Sequence, residues 1–378
     1  MRRLVLALSV LCASRAFGAS LVLMPLDVVN GESAAASDLR PLIAGAVESK
    51  GWQIAATDIS ALLEERRVRY LDSIDGVVRD AILEQTGASA VLMVTVYTYS
   101  QGRSSTVALS AHLIDGDGDV IWANVTGLSS SDTERALGLG RKDSVSAVAG
   151  EAITSLMRDF PSGRLSAREW GAGALAGAHR RGRRCPTFVS PAFDASQPIC
   201  VLPFDNTSTS PNAPRLLADV LALRLAAAGF NVVDPAALRA AALDAGVSLR
   251  GAGAEELAAL AKILRTPLFL RGTVYAYVDP ASRSGAPSPV IDVEATLVDA
   301  NAGKVLWAAQ NNRKGTDYIG FLMLGAVSNS VSLTDRVATE MIATVRTNHE
   351  ASKSAGHRVA LASSGRKSRQ HGSGEGER

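Results

Sequence analysis

The chain repeats itself at the length of a whole domain. Thr95-Val96-Tyr97-Thr98-Tyr99 recurs as Thr273-Val274-Tyr275-Ala276-Tyr277, an offset of 178 residues. The same offset carries Met24-Pro25-Leu26-Asp27 onto Leu202-Pro203-Phe204-Asp205, and Gly51-Trp52 onto Gly229-Phe230. Further along, Leu113-Ile114-Asp115 and Val120-Ile121-Trp122-Ala123 match Leu297-Val298-Asp299 and Val305-Leu306-Trp307-Ala308. Ser144-Val145-Ser146 matches Ser330-Val331-Ser332, where the offset has grown to 186. The second copy therefore carries a longer loop in one hairpin and its neighbouring turn. A solenoid unit repeats at roughly 20–50 residues; this unit is long enough to bury a core of its own. Residues common to both copies belong to the scaffold, so a specialised role is sought where the copies differ.

Each copy opens with an apolar strand, Leu21–Leu26 or Ile199–Phe204, stopped by Pro and Asp. Helical spacing predicts helices over 38–50 and 214–228, with Gly51 and Gly229 placed as C-terminal caps. Asp58 and Asp234 are placed to cap the next helical stretch, and further helices are expected near 74–86 and 254–264. Strands are expected over Ala90–Tyr99 and Leu268–Val278, followed by hairpins of Val107–Ile114 with Val120–Ala123 and Val290–Val298 with Val305–Ala309. Last helices over 141–158 and 326–345 close the copies. The predicted class is α/β (α+β): two tandem copies of a β-α-β-α-β-β-β-α domain, each with a three- to five-stranded mixed sheet packed by helices. The first domain is read as 20–158 and the second as 198–346. A basic Pro/Gly/Arg linker spans 159–197, and a Ser/Gly/basic tail over 347–378 is expected to be disordered.

Met1-Arg2-Arg3, the apolar run Leu4–Cys12 and Ala16-Phe17-Gly18 have the order of an export signal cleaved near Gly18. The apolar run is far shorter than the about 20 residues a membrane helix needs. Lipidation at Cys12 is the alternative, although Leu11 stands where such motifs carry a small residue. Loss of Arg2, Arg3 and Arg15 with residues 1–18 takes the formal charge from +2 to −1. The linker and tail are strongly basic, so the domain bodies are acidic. That balance argues against nucleic-acid binding and gives the basic segments a possible anionic surface to touch, solvated connectors being the plainer reading. Cys185 and Cys200 remain after cleavage, as a disulfide pair or as buried free thiols, and their spacing fits no zinc site.

Little in the chain points to catalysis, and no cofactor motif is found. His112 stands on a strand where the other copy has Thr296, and reads as a solvent-facing residue of the pleat. Asp27/Asp205 and Asp115/Asp299 recur at strand ends, where an aspartate turns the chain by accepting backbone N–H groups. Trp122 and Trp307 recur with the tyrosine pairs, as core residues of the sheet or as an aromatic binding surface. The loop Asp279–Pro289, with Arg283 and Pro287 inside it, has no counterpart in the first copy; it reads as a partner-binding loop or a tolerated insertion.

Several short motifs of the second copy occur together in a known order. Leu202-Pro203-Phe204-Asp205-Asn206, Ala228-Gly229-Phe230, Val232-Val233-Asp234-Pro235, Gly272-Thr273-Val274 and Leu297-Val298-Asp299 with Gly303 and Trp307 follow one another. This resembles the periplasmic domain shared by curli-assembly (CsgG-like) lipoproteins, penicillin-binding-protein activator lipoproteins and the TolB N-terminal domain. It covers about 140 residues of copy two, and copy one more weakly, where Val28 and Val94 replace Asn206 and Gly272. The resemblance implies a non-enzymatic adaptor of the cell envelope with a protein partner, in assembly, secretion or regulation, or as an activator of peptidoglycan synthases. A periplasmic hydrolase or small-ligand-binding protein is the reading from another class. Convergence of Asp27 or Asp205 with a second titratable group in a pocket would favour it. The connections leave no room for the membrane hairpins of the curli channel.

Overall fold

The computed structural model describes residues 19–31, 34–102, 104–133, 140–163, 185–280, 288–319 and 325–345. The segment read as an export signal, with Cys12, the linker arginines, Arg283, Pro287 and the tail lie outside them. The first sheet is built from β1 (Ser20–Leu23), β2 (Asp27–Val28), β3 (Gln53–Ile54), β4 (Ala90–Ser100), β5 (Thr106–Asp115) and β6 (Val120–Ser129). Its order is β3-β1-β4-β5-β6, with β2 alongside β4. Strand β1 is parallel to β3 and β4, and β4-β5-β6 form an antiparallel meander. The second sheet contains β7 (Thr187–Val189), β8 (Ile199–Val201), β9 (Asp205–Asn206), β10 (Leu268–Val278), β11 (Val290–Asp299) and β12 (Lys304–Lys314). Its order is β7-β12-β11-β10-β8, with β9 on β10 and Val232 bridged to Ile199 where β3 flanks β1.

The fold class is as expected, two tandem α+β domains with mixed sheets, but each sheet has six strands. The last hairpin strands run on to Ser129 and Lys314. Strand β7, inside the segment read as linker, pairs antiparallel with Trp307–Ala309.

Among the described residues the helices include α1 (Ala35–Ser49), α2 (Ser60–Glu65), α3 (Gly76–Thr86), α4 (Val145–Leu156), α5 (Ala213–Ala227), α6 (Pro235–Ala245) and α7 (Ala254–Leu264). A further helix, α8, covers 330–345. Helix α1 buries Leu39, Ile43 and Val47, one residue per turn, and its other sides are exposed. Gly51 and Gly229 follow α1 and α5 at φ +84° and +88°, a backbone open to glycine at little cost. Asp234 is the N-cap of α6 and accepts the Ala236 N–H, whereas Asp58, expected as a cap, stands one residue before the Ile59 N-cap of α2 and accepts the Ser60 N–H from there.

One face of the first sheet (Leu23, Leu92, Leu109, Leu113) packs on α1 and α4. The other face packs on α2 and α3 only near β1, through Val22, Met24, Val91, Met93 and Ile114. In the second sheet, Val201, Leu270, Val293 and Trp307 pack with α5 and α8, and Cys200, Leu202 and Phe269 with α6 and α7. Cys185 belongs to the α5/α8 side and Cys200 to the opposite one, so the sheet separates them. Both are buried free thiols in this structure. Burial pushes them up to about 11 and about 12. Trp122 and Trp307 are core residues: Trp122 meets Phe160 edge-on at 4.8 Å, and Trp307 Nε1–H donates to Thr344 Oγ1.

Two departures between the copies offset each other. A Cβ on Gly272 would lie 2.3 Å from the Phe204 ring and 2.5 Å from the Glu294 carbonyl. The first copy puts Leu26 and Val94 at these positions, the smaller side chain facing the larger. Gly272→Val is therefore expected to destabilise the protein by about 1–3 kcal/mol through overpacking. Adding Phe204→Leu should recover part of that loss, read by denaturant unfolding; strict additivity of the two changes would refute the compensation.

Candidate functional site at the seam between the two sheets

The half of the first sheet that α2 and α3 leave bare is covered by α5 of the second domain. Arg215, Asp219, Ala222, Leu223 and Ala226 recur at helical spacing and face that sheet, while Leu217, Val220, Leu221 and Leu225 face their own. Helix α5 is thus buried on two sides, and Tyr97, Ala108 and Val125 of the first sheet join the second domain's core.

Polar groups fix the register of this seam. Arg215 reaches Asp27, makes a 2.8 Å bond to Asp72, and has its Nε 3.8 Å from Asp219, one turn along its own helix. The Tyr97 hydroxyl donates to Asp219 at 3.2 Å and accepts from Ser110 at 3.1 Å. At one flank Arg239 donates to Ser73 and stacks 4.6 Å over the Tyr70 ring. At the other, Ser328 of the second domain donates to Asp132 at 2.6 Å and meets Ser129 at 2.7 Å. Ser332 donates to the Gly127 carbonyl, and a Cβ on Gly127 would lie 2.3 Å from Asn329 Oδ1. This glycine lets the α8 end approach β6.

Three carboxylates share one guanidinium, and for Asp219 the environment shows in its protonation. Burial, then the Asp72 charge, lifts Asp219 to about 7 against the pull of Arg215. Burial lifts the capping Asp234 to about 6 and pushes the Tyr97 hydroxyl well up. For Arg215, burial works against the charge, but Asp72, Asp219 and Asp27 outweigh it and the pKa rises. His112 is not solvent-facing as its alternation with Thr296 suggested. It lines a cavity of about 60 Å³ under α5 with Asp72, Tyr97 and Asp219, and burial lowers it to about 4. The Asp72 Oδ1 atom is buried there without a partner. Such a space holds a few waters at roughly 10–15 Å³ each.

A larger cleft of about 370 Å³ opens further along the seam, between Asn30 and Thr98 of the first domain and Thr209, Ser210, Asn212 and Asp279 of the second. Of the loop residues singled out in the sequence, Asp279 lines this cleft, while the Pro289 carbonyl accepts the Gly315 N–H at the base of the β11–β12 hairpin. Asp115 and Asp299 do turn the chain, each accepting two N–H groups with Oδ1. Asp27 does not; it is an ion-pair partner across the seam, while Asp205 is exposed and has no ion pair among the described residues. Convergence of Asp27 with Asp72, Asp219 and Tyr97 is thus observed, yet these groups bond to one another and to Arg215. Spacing within either copy could not reveal this, because the seam joins different copies. The available signal was α5 itself, apolar on more than one side where α1 is not.

Among the described residues no group of three could hold a metal ion, and no helix is long and apolar enough to cross a membrane.

Arg215→Ala is expected to cost about 2–4 kcal/mol by leaving Asp27 and Asp72 facing each other in a half-buried seam. The check is calorimetry, in which the parent's single transition should split in two. A second expectation concerns pH. Asp219 holds its proton more tightly folded than unfolded, so its contribution is full at low pH and is lost as pH rises through about 7. His112 acts oppositely, costing stability only as pH falls from 6.5 towards about 4. From about pH 6 to about pH 8 the parent should therefore lose about 1 kcal/mol relative to Asp219→Asn. Parallel stability curves over that range would contradict it.

No family model matches the chain, and no curated protein matches it. Among solved structures it is similar to the PelC dodecamer protein of Paraburkholderia phytofirmans, 21% identical over 43% of this chain and 92% of that one, TM-score 0.29. Lipoprotein GNA1162 of Neisseria meningitidis is 15% identical, over 37% of this chain and 96% of its own, TM-score 0.28. The LpoB C-terminal domain of Escherichia coli is 13% identical, over 38% and 98%, TM-score 0.27.

Proposed function

We propose that the chain is a non-enzymatic, exported adaptor of the cell envelope, acting in assembly, secretion or regulation through contacts with a protein partner. The observation that carries this reading is the use made of the polar groups at the seam. Arg215, Asp27, Asp72, Asp219 and Tyr97 come from two domains and are spent on holding them together. The result is one body with two sheets, suited to presenting a surface. The basic, apolar and small-residue segments at 1–18 support export. A peptidoglycan synthase is one partner that the family resemblance implies. The loop from Asp279 through Arg283 and Pro287 to Pro289 is a second candidate contact, and the basic linker and tail suit an anionic surface.

The cleft of about 370 Å³ favours a second reading, a small polar ligand bound between the domains. Its size falls in the range of about 300–1,000 Å³ usual for ligand sites.

The test is in-cell crosslinking of the tagged, mature protein followed by identification of its adducts. One envelope protein is expected, recovered in constant ratio and lost when the competing untagged chain is overproduced. A protein that yields no specific adduct, while a small molecule copurifies and raises its melting temperature, would replace the adaptor reading with the ligand one.

A further inference from the structure

The two sheets offer the same face to a helix, and among the described residues only the first has received it. Register fixes the correspondence. In the first sheet Val96 pairs with Leu109 and Thr98 with Ala108, leaving Tyr97 as the extra residue of a bulge. In the second, Val274 pairs with Val293 and Ala276 with Asp292, leaving Tyr275 in the same place. Pairing onto the last strand then sets Ala108, Ser110, Val125 and Gly127 against Asp292, Glu294, Gln310 and Asn312. The first set is small or apolar and buried under α5 or against the α8 end. The second set is larger and polar, and Tyr275 above it is 42% exposed.

This face is not simply wetted. Asp292 accepts from Asn312 through Oδ2, but its Oδ1 is buried without a partner. Glu294 accepts from the Tyr275 hydroxyl at 2.9 Å. Asp205, the counterpart of Asp27, lacks the cation that Arg215 supplies in the first copy. Three carboxylates thus lie along the track that α5 follows on the first sheet, against two cations of the same face, Arg271 on β10 and Lys314 at the end of β12. A buried acceptor without a donor is costly, and like charges on one face repel, so a cationic occupant gains from both.

We propose that this face of the second sheet docks a basic helix of the partner protein, seated as α5 sits on the first sheet. One cation of that helix meets Asp205 and another, one turn on, meets Glu294 and Asp292. A second copy of this chain is a poor occupant. Its α1 would bring Ser37 and Pro41 where α5 has Arg215 and Asp219, and Glu48 where α5 has Ala226. The inference rests on the adaptor reading and names the surface through which it works.

The probe is a synthetic peptide of residues 211–229 with Asp219→Lys. Leu217, Val220 and Leu221, the side that α5 turns to its own sheet, are replaced by Gln for solubility. A control peptide keeps Asp219. Fluorescence anisotropy on the full mature chain should show the Lys peptide binding at least about tenfold more tightly than the control. Asp292→Asn with Glu294→Gln in the protein should remove that advantage without lowering the melting temperature. Equal binding of the two peptides, or an advantage that survives the double substitution, overturns the proposal. So does self-association in sedimentation that the same substitutions abolish, since the occupant would then be a second copy. A photocrosslinker at Tyr275 in cells separates the two readings. Adducts elsewhere but none at Tyr275 remove this face and leave the adaptor. No specific adducts anywhere, with peptide binding intact, remove the adaptor and leave the face.

Discussion

Burial of α5 on two sides is the contact on which the rest of the architecture depends. A helix that packs on its own sheet alone keeps a polar outer side, as α1 does with Arg40, Glu48 and Ser49. Helix α5 instead carries Ala222, Leu223 and Ala226 on its outer side, small enough for close approach to the first sheet. Apolar contact alone would leave the angle between the sheets loosely set. Arg215 sets it, because one guanidinium nitrogen, Nη2, reaches carboxylates from two separate points of the first domain. The bridge adds less through net attraction than through the penalty for any arrangement that separates it.

Much of the fold could be read from the sequence, for identifiable reasons. Strands β4 and β10, the capping Asp234, and the glycines after α1 and α5 are local signals, and each lies where its chemistry demands. The ends of β6 and β12 were less legible. Beyond Ala309 the strand alternates buried Asn311 and Arg313 with exposed Gln310 and Asn312, and the buried set is itself polar. Arg313 is held by Glu340 of α8, a partner remote in sequence. Strand β7 is three residues long and obtains its definition from the edge of β12.

The seam was legible only in part, since its groups are ordinary within their own copy. Asp27 and Asp205 occupy matching positions at strand ends, and nothing near either tells that one meets an arginine 188 residues away. His112 looked exchangeable with Thr296 because both are tolerated on a pleat; the difference between them is the helix that covers one and not the other. Differences between the copies located the structural asymmetry better than any motif did. Where α5 lies, the first sheet is small-residued; the matching face of the second, which no helix of the described residues covers, carries Asp205, Asp292 and Glu294.

The pairing of Phe204 with Gly272, against Leu26 with Val94, bears on assembly during folding. Neighbouring domains of one architecture risk exchanging equivalent strands, a characteristic failure of repeat proteins. Were the β8–β9 segment to pair with β4, Phe204 would be driven onto Val94, where no space exists; the reverse exchange would leave Leu26 over Gly272 with a void. One wrong pairing is thus resisted by collision and the other by loss of contact. Two side-chain sizes act as a steric key by which each sheet accepts its own strand.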